Sequence, residues 1–118
     1  MLREVVWMGD SRKRLKEFPK ETQRSVGGAL LLAQFGGTAD HVKPFKGVGS
    51  GVFEIVESHL KNAYRVVYAV RIGEKIYVLH AFQKKSKTGI KTPKPDMELV
   101  QQRYKEAQEL AEDDEAGH

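Results

Sequence analysis

Three stretches in the second half of the chain constrain the fold more than any other feature. Val52–Ser58, Ala63–Ile72 and Lys75–Gln83 are rich in Val, Ile, Tyr and Phe, and only His59–Asn62 and Gly73-Glu74 separate them. Connectors this short can reverse a strand but cannot carry a parallel crossover, so the three runs predict an antiparallel meander. In the middle run Tyr64, Val66, Tyr68 and Val70 point to one face, while Arg65, Val67, Ala69 and Arg71 point to the other. The first face is expected to pack on helices; the second carries two arginines over small residues.

Ahead of the meander, Arg3 to Met8 reads as a short strand because Val5, Val6 and Trp7 favour extended backbone. Gly9-Asp10-Ser11 then supplies a turn and an N-cap for a helix from about Ser11 to Phe18. Pro19 suits the first turn of a second helix, in which Val26, Leu30 and Ala33 recur at spacings of four and three, and Gly36-Gly37 ends it near Phe35. Within that helix Gly27-Gly28 costs about 1 kcal/mol per glycine relative to Ala, which predicts close packing against the first helix or the sheet, or else a kink. Val42 to Gly51 is glycine-rich but lacks the preceding strand and following helix of a phosphate-binding loop, so it reads as an irregular approach to the sheet.

After the meander, Lys84 to Lys94 holds five lysines and no acid, and is expected to leave the sheet as an exposed basic arm. Asp96 can cap a last helix, traced by Val100, Tyr104, Ala107 and Ala111, with an acidic tail that frays after Leu110. The fold class is therefore α+β, in the order β-α-α-β-β-β-α, with two N-terminal helices on one face of the sheet and a C-terminal helix. Residues 1–111 make one domain, and 112–118 an acidic, disordered, solubilising tail.

Charge is distributed unevenly. Six of the 16 acidic residues lie from Glu106 onward, where there is no Lys or Arg, so the first 105 residues hold 20 basic against ten acidic groups. A body of charge +10 attracts polyanions, nucleic acid first. No apolar run approaches the roughly 20 residues of a membrane span, and the N-terminus lacks a signal-peptide core, so a cytoplasmic protein is expected.

The absence of cysteine excludes disulfide scaffolds, Cys-ligated metal and thiolate catalysis. His41, His59, His80 and His118 are scattered, without helical i, i+4 pairing or a flanking carboxylate cluster, so no metal or other cofactor is expected. What remains is basic. Counting outward from Gly73-Glu74 places Arg65 near Gln83 and Lys84, which concentrates positive charge at one place on the sheet. The competing reading is that lysines at the end of a strand only protect an edge against aggregation. His80 reads as a partly buried histidine alternating with Val78 and Phe82, with proton transfer as its sharper alternative. His59 in a turn and Lys46 in a loop can reach a ligand, or are simply exposed.

Several blocks together resemble a known family: Val42-Lys43-Pro44-Phe45-Lys46-Gly47, Val52-Phe53-Glu54-Ile55, Ala63-Tyr64-Arg65-Val66-Val67-Tyr68, Leu79-His80-Ala81-Phe82-Gln83-Lys84-Lys85-Ser86 and Thr92-Pro93. Their order and spacing are similar to the RelE/HigB toxin superfamily, in its phage-derived, gene product forty-nine-like branch. The resemblance implies a RelE-like fold and the toxin of a type II toxin–antitoxin pair, which cleaves mRNA on the ribosome and is neutralised by a helix-turn-helix antitoxin. It implies no metal and attack by the RNA's own 2′-OH on the adjacent phosphate.

Carried over by motif, Arg65 matches an arginine that contacts the scissile phosphate. Lys85 takes the place of a basic residue that stabilises charge or protonates the leaving group, with Lys84 beside it and His80 or His59 as proton carriers. Lys46, His59, Arg71, Lys87, Lys91 and Lys94 form the wider RNA-binding set. The sequence departs from the pattern at Thr88-Gly89-Ile90-Lys91-Thr92-Pro93, where several RelE toxins place a Tyr, or a His and a Tyr. That gap keeps two alternatives open, a ParE-like gyrase inhibitor on the same fold and an inactive member that survives as an antitoxin-binding regulator.

Overall fold

The computed structural model describes residues 2–84 and 91–116. Eight elements follow one another: β1 (Val5–Trp7), α1 (Ser11–Lys16), α2 (Lys20–Gln34), β2 (Val42–Pro44), β3 (Val52–His59), β4 (Asn62–Ile72), β5 (Lys75–Lys84) and α3 (Lys94–Ala116). They build an α+β fold on one five-stranded sheet of order β1-β5-β4-β3-β2. β3, β4 and β5 pair antiparallel as the short connectors require. The sheet as a whole is mixed, because β1 joins the outer side of β5 in parallel.

Each face of the sheet has its own core. Tyr64, Val66 and Tyr68 pack with Ile55, Ile76 and Val78 against Leu15, Phe18, Val26, Leu30 and Ala33 of the α1–α2 region. On the opposite face Val67 and Ala69 pack with Tyr77, Leu79 and Phe82 against Val100, Ala107 and Ala111 of α3. The face expected to display two arginines over small residues is therefore largely covered. The small side chains of Val67 and Ala69 let a helix lie on it; of the two arginines Arg65 is buried and only Arg71 is exposed.

Four local expectations need correction. Val42–Pro44 is a strand, paired antiparallel with Ile55, Glu54 and Phe53, where an irregular approach was expected. Pro44 is tolerated because β2 is the sheet edge, where a missing N–H costs no ladder bond. Gly27 and Gly28 do not serve close internal packing: a Cβ on either meets nothing within 4 Å, and α2 runs through them unbroken. α3 begins at Lys94, so Asp96 is its third residue and not its cap, and the helix continues to Ala116 where fraying was expected after Leu110. Lys75 Nζ, 2.9 Å from Asp114 Oδ2, ties that acidic end to the β4–β5 turn.

The fourth correction concerns register. Val67 pairs with His80 but Tyr68 pairs with Val78, so Leu79 is an extra residue in β5. Such a bulge puts two successive side chains on one face. Val78 faces α1 and α2, whereas Leu79, His80 and Phe82 all belong to the α3 face, and the alternation of His80 with Val78 is broken.

Candidate functional site

Four neighbouring strands place charged side chains on the α3 face, toward the end of the sheet where β5 finishes. Lys43 of β2 lies opposite Glu54 of β3, Glu54 lies opposite Val67, and Arg65 is two residues back along β4. Arg65 pairs with Phe82 and Ala63 with Lys84, so Lys84 sits diagonally from Arg65 on the same face. A straight count outward from Gly73-Glu74 also sets Arg65 opposite Phe82, because the register shifts between Ala69 and Ile72 and between Val67 and Tyr68 cancel; Gln83 and Lys84, expected near Arg65, are the next residues along β5.

Three of the four groups are buried: Lys84 is 4% exposed, Glu54 5% and Arg65 7%. Arg65 Nη1 donates to both Glu54 oxygens at 3.1 Å, and Lys43 Nζ stands 3.6 Å from Oε1. One carboxylate thus faces three cations. Arg65 Nε and Lys84 Nζ are buried and have no hydrogen-bond partner among the described residues. Leaving cationic donors unpaired away from water costs several kcal/mol per ion unless something anionic completes them. Burial first, and the Arg65 charge second, push the Lys84 ammonium below the usual lysine range, against the pull of Glu54.

A second polar chain lies further along the same face. His80, wholly buried, has Nε2 2.7 Å from Asp96 Oδ1 and Nδ1 3.2 Å from Arg103 Nη1. A guanidinium can only donate, so Nδ1 accepts and Nε2–H donates to Asp96, which fixes a neutral tautomer. Burial lowers the His80 pKa despite the Asp96 bond that opposes it. Arg103 also donates to Leu79 O at 3.0 Å and, through Nη2, to Asp10 Oδ1 at 2.8 Å. Asp10 in turn accepts from Arg14 Nε at 3.0 Å, and these arginine bonds bring its carboxyl down to about 2. Phe82 stacks on the imidazole at 5.0 Å between centroids, linking the chain to the end of β5.

The profile of a family described as phage-derived protein Gp49-like (DUF891) matches residues 13–105, more than three quarters of the chain. The chain belongs to the Gp49-like family. A comparison with curated proteins gives no match. The matched span of this Gp49-like protein contains Lys43, Glu54, Arg65, His80, Lys84, Asp96 and Arg103, and leaves out Asp10 and the acidic end of α3.

The remaining residues singled out from the Gp49-like sequence scatter. Lys46 is exposed in the loop after the buried Phe45. His59 ends β3 on the opposite face, with Nδ1 3.9 Å from Glu21 of α2, so the sheet separates it from Arg65. Arg71 is exposed six residues along β4 from Arg65, about 20 Å away at strand rise, where its side chain lies over Gly51. Of the exposed basic arm expected from Lys84 to Lys94, Lys84 is instead the buried end of β5, Lys91 is exposed, Lys94 is the exposed first residue of α3, and residues 85–90 lie outside the described residues. Lys85 and Lys87 lie outside the described residues.

Sequence reasoning passed over Glu54, Lys43, Asp96, Arg103 and Asp10. Glu54 left a signal, because alternation along Val52–Ser58 places it inward with Val52 and Val56, and a carboxylate on a core face must have a cationic partner. Arg103 and Asp10 left none: 93 residues separate them.

Proposed function

We propose that this Gp49-like protein is the toxin of a type II toxin–antitoxin pair, a metal-independent endoribonuclease of the RelE/HigB type that cleaves mRNA on the ribosome and is neutralised by a helix-turn-helix antitoxin. The observation that carries this reading is the pair of buried cationic nitrogens, Lys84 Nζ and Arg65 Nε, that have no hydrogen-bond partner among the described residues and stand beside Glu54. A phosphodiester supplies the anionic oxygens they lack.

In the reaction the 2′ oxygen bonds to phosphorus and the bond from phosphorus to the 5′ oxygen breaks. The 2′ proton leaves to a base and the 5′ oxygen gains one, giving a 2′,3′-cyclic phosphate and a 5′-hydroxyl. The Arg65 guanidinium stabilises the negative charge that develops on the phosphorane. Lys84, its pKa lowered by burial and by Arg65, releases a proton to the leaving oxygen more readily than an ordinary lysine. Glu54, held against Arg65, is the carboxylate placed to receive the 2′ proton. The need for a 2′-OH selects RNA over DNA.

Lys46, Lys91 and Lys94 are exposed positive charges elsewhere on the chain that a longer RNA can meet, and Lys85 and Lys87 join the set on the family resemblance. His80, both of whose nitrogens are engaged, supports the site by tying Asp96 at the start of α3 to β5 four residues before Lys84. The test is to incubate the purified protein and its Lys84→Ala and Arg65→Ala variants with matched RNA and DNA oligonucleotides in chelator, and to map RNA 5′ ends after induction in a bacterium. Cleavage of RNA alone, lost in the Lys84→Ala variant, is the expected result. Growth arrest with intact RNA turns the reading to gyrase inhibition, and no arrest turns it to an antitoxin-binding regulator.

A further inference from the structure

Two reversals in the sheet have the same length and unlike chemistry. The β4–β5 turn is Gly73-Glu74, where Gly73 takes a φ of 57° that glycine adopts without strain. The β3–β4 turn is Leu60-Lys61, with His59 paired to Asn62 across it. Leu60 at φ 49° and Lys61 at φ 70° are the only non-glycine residues in the left-handed region among the described ones. A two-residue reversal with both φ positive strongly prefers Asn, Asp and Gly, because a Cβ there crowds the backbone and only a short polar side chain offsets the crowding. Leu60 is also 81% exposed, more than any other large apolar side chain among the described residues. Backbone preference and burial preference both argue against this pair, and residues held against local preference cluster where a ligand is met.

The tip stands at the end of the sheet that carries the cationic cluster. Ala63, two residues past Lys61, pairs with Lys84, and Arg65 is two residues further along the same strand. At strand rise Lys61 lies roughly 13 Å from Arg65, about four nucleotides of a stacked strand at about 3.4 Å each. Gly73-Glu74 closes the opposite end, where Lys75 meets Asp114 of α3.

We propose that the Leu60-Lys61 tip is a second contact for the RNA, Lys61 meeting a phosphate that flanks the one at Arg65 and Lys84, and Leu60 packing on the face of an unstacked base. The proposal rests on the nuclease reading and adds to it the residues that position the strand. One leucine beside one lysine offers far too little surface for a protein partner. Single-stranded RNA presents their complements, a base face and a phosphate, at every nucleotide. Lys43, Arg65 and Lys84 at the same end draw a polyanion and repel a basic partner. In paired RNA the base faces are covered, so the contact selects single strands.

Fluorescence anisotropy of a labelled single-stranded 2′-O-methyl RNA, which lacks the attacking hydroxyl, tests this over a series of salt concentrations. Lys61→Gly is expected to weaken binding and to reduce the slope of log K against log salt by about 0.7, the share of one phosphate in a single strand. Leu60→Asn is expected to weaken binding at least about fivefold with the slope unchanged, and Leu60→Tyr to retain it. The double variant Leu60→Asn/Lys61→Gly suits the turn better, so its thermal midpoint is expected to rise by about 2–8 °C, which separates lost binding from lost folding. A double variant that binds with the affinity and slope of the unaltered chain overturns the proposal; if Arg65→Ala and Lys84→Ala still weaken binding, the nuclease reading survives it. A double variant whose midpoint falls removes the premise that the turn is disfavoured, and overturns the proposal too. An unaltered chain that binds no RNA overturns both.

Discussion

Two polar clusters share the α3 face of the sheet, and they are built to opposite specifications. In the chain Asp96–His80–Arg103–Asp10–Arg14, both imidazole nitrogens are bonded and Asp10 takes an arginine on each oxygen. In the cluster of Glu54, Arg65, Lys84 and Lys43, cations outnumber the carboxylate three to one, and two buried nitrogens have no partner among the described residues. A fully bonded network fixes one arrangement of β5, α3 and the β1–α1 turn, because any rearrangement exposes an unsatisfied group to a low dielectric. An under-bonded cluster does the reverse, holding free energy that an incoming anion can recover. On the proposed function, the first is a device for folding and the second for binding.

The contrast is broken most sharply at Lys84. Lys84→Met removes an unpaired buried cation, so RNA cleavage is expected to fall by about 10²–10³-fold while the thermal midpoint stays level or rises. Oligonucleotide cleavage and calorimetry on one sample check both halves; a variant that loses activity by unfolding would erase the distinction between the clusters. Arg103→Met does the opposite damage. It leaves Asp10 and His80 Nδ1 without their buried donor, and is expected to cost about 3 kcal/mol in denaturant unfolding.

Titration sharpens the same comparison with smaller effects. His80 is held below its ordinary pKa, so the unfolded chain takes up the proton first, and stability is expected to fall as pH drops below about 6.5. Asp10, at about 2, adds a second loss as pH falls from about 4 toward 2, because its stabilising arginine bonds need the carboxylate. Lys84 is shifted down, so the folded chain releases its proton first and its contribution to stability grows as pH climbs toward about 10.5. Unfolding midpoints across pH, with His80→Gln removing the first limb and Lys84→Met the last, separate the three. The smallest effect is expected from Asp114→Asn at the far end of the sheet. Its bond to Lys75 is solvent-exposed, and the thermal midpoint is expected not to move measurably.

What could be read from the chain divides along the same line. Alternation gave β3, β4 and β5 their faces, and the short turn between the last two put Arg65 beside Lys84, because period-two patterning and turn length act locally. β2 escaped because Pro44 and its neighbouring lysines look like loop, and only the edge position makes them acceptable as strand. The bulge at Leu79 carries no composition signal, yet it alone turns His80 toward α3. Asp96 fitted the rule for a helix cap, but a histidine 16 residues away competes for its carboxylate, and no local rule weighs that competition. Glu54 was legible in principle, since a carboxylate on the inward-facing positions of β3 calls for a cation beside it.

The parallel seat of β1 against β5 also sets an order in time. Val5 pairs with Ile76, so the first strand to be synthesised waits about 70 residues for its neighbour, some 4–14 s at ordinary elongation rates of about 5–20 residues per second. The cover for Val67 and Ala69 comes later still, with α3. Until then β1 has no edge to join, and Arg3 lacks the carbonyls of Val70, Glu74 and Lys75 that anchor it. A ribosome making this protein therefore carries an incomplete sheet for most of the elongation of the chain.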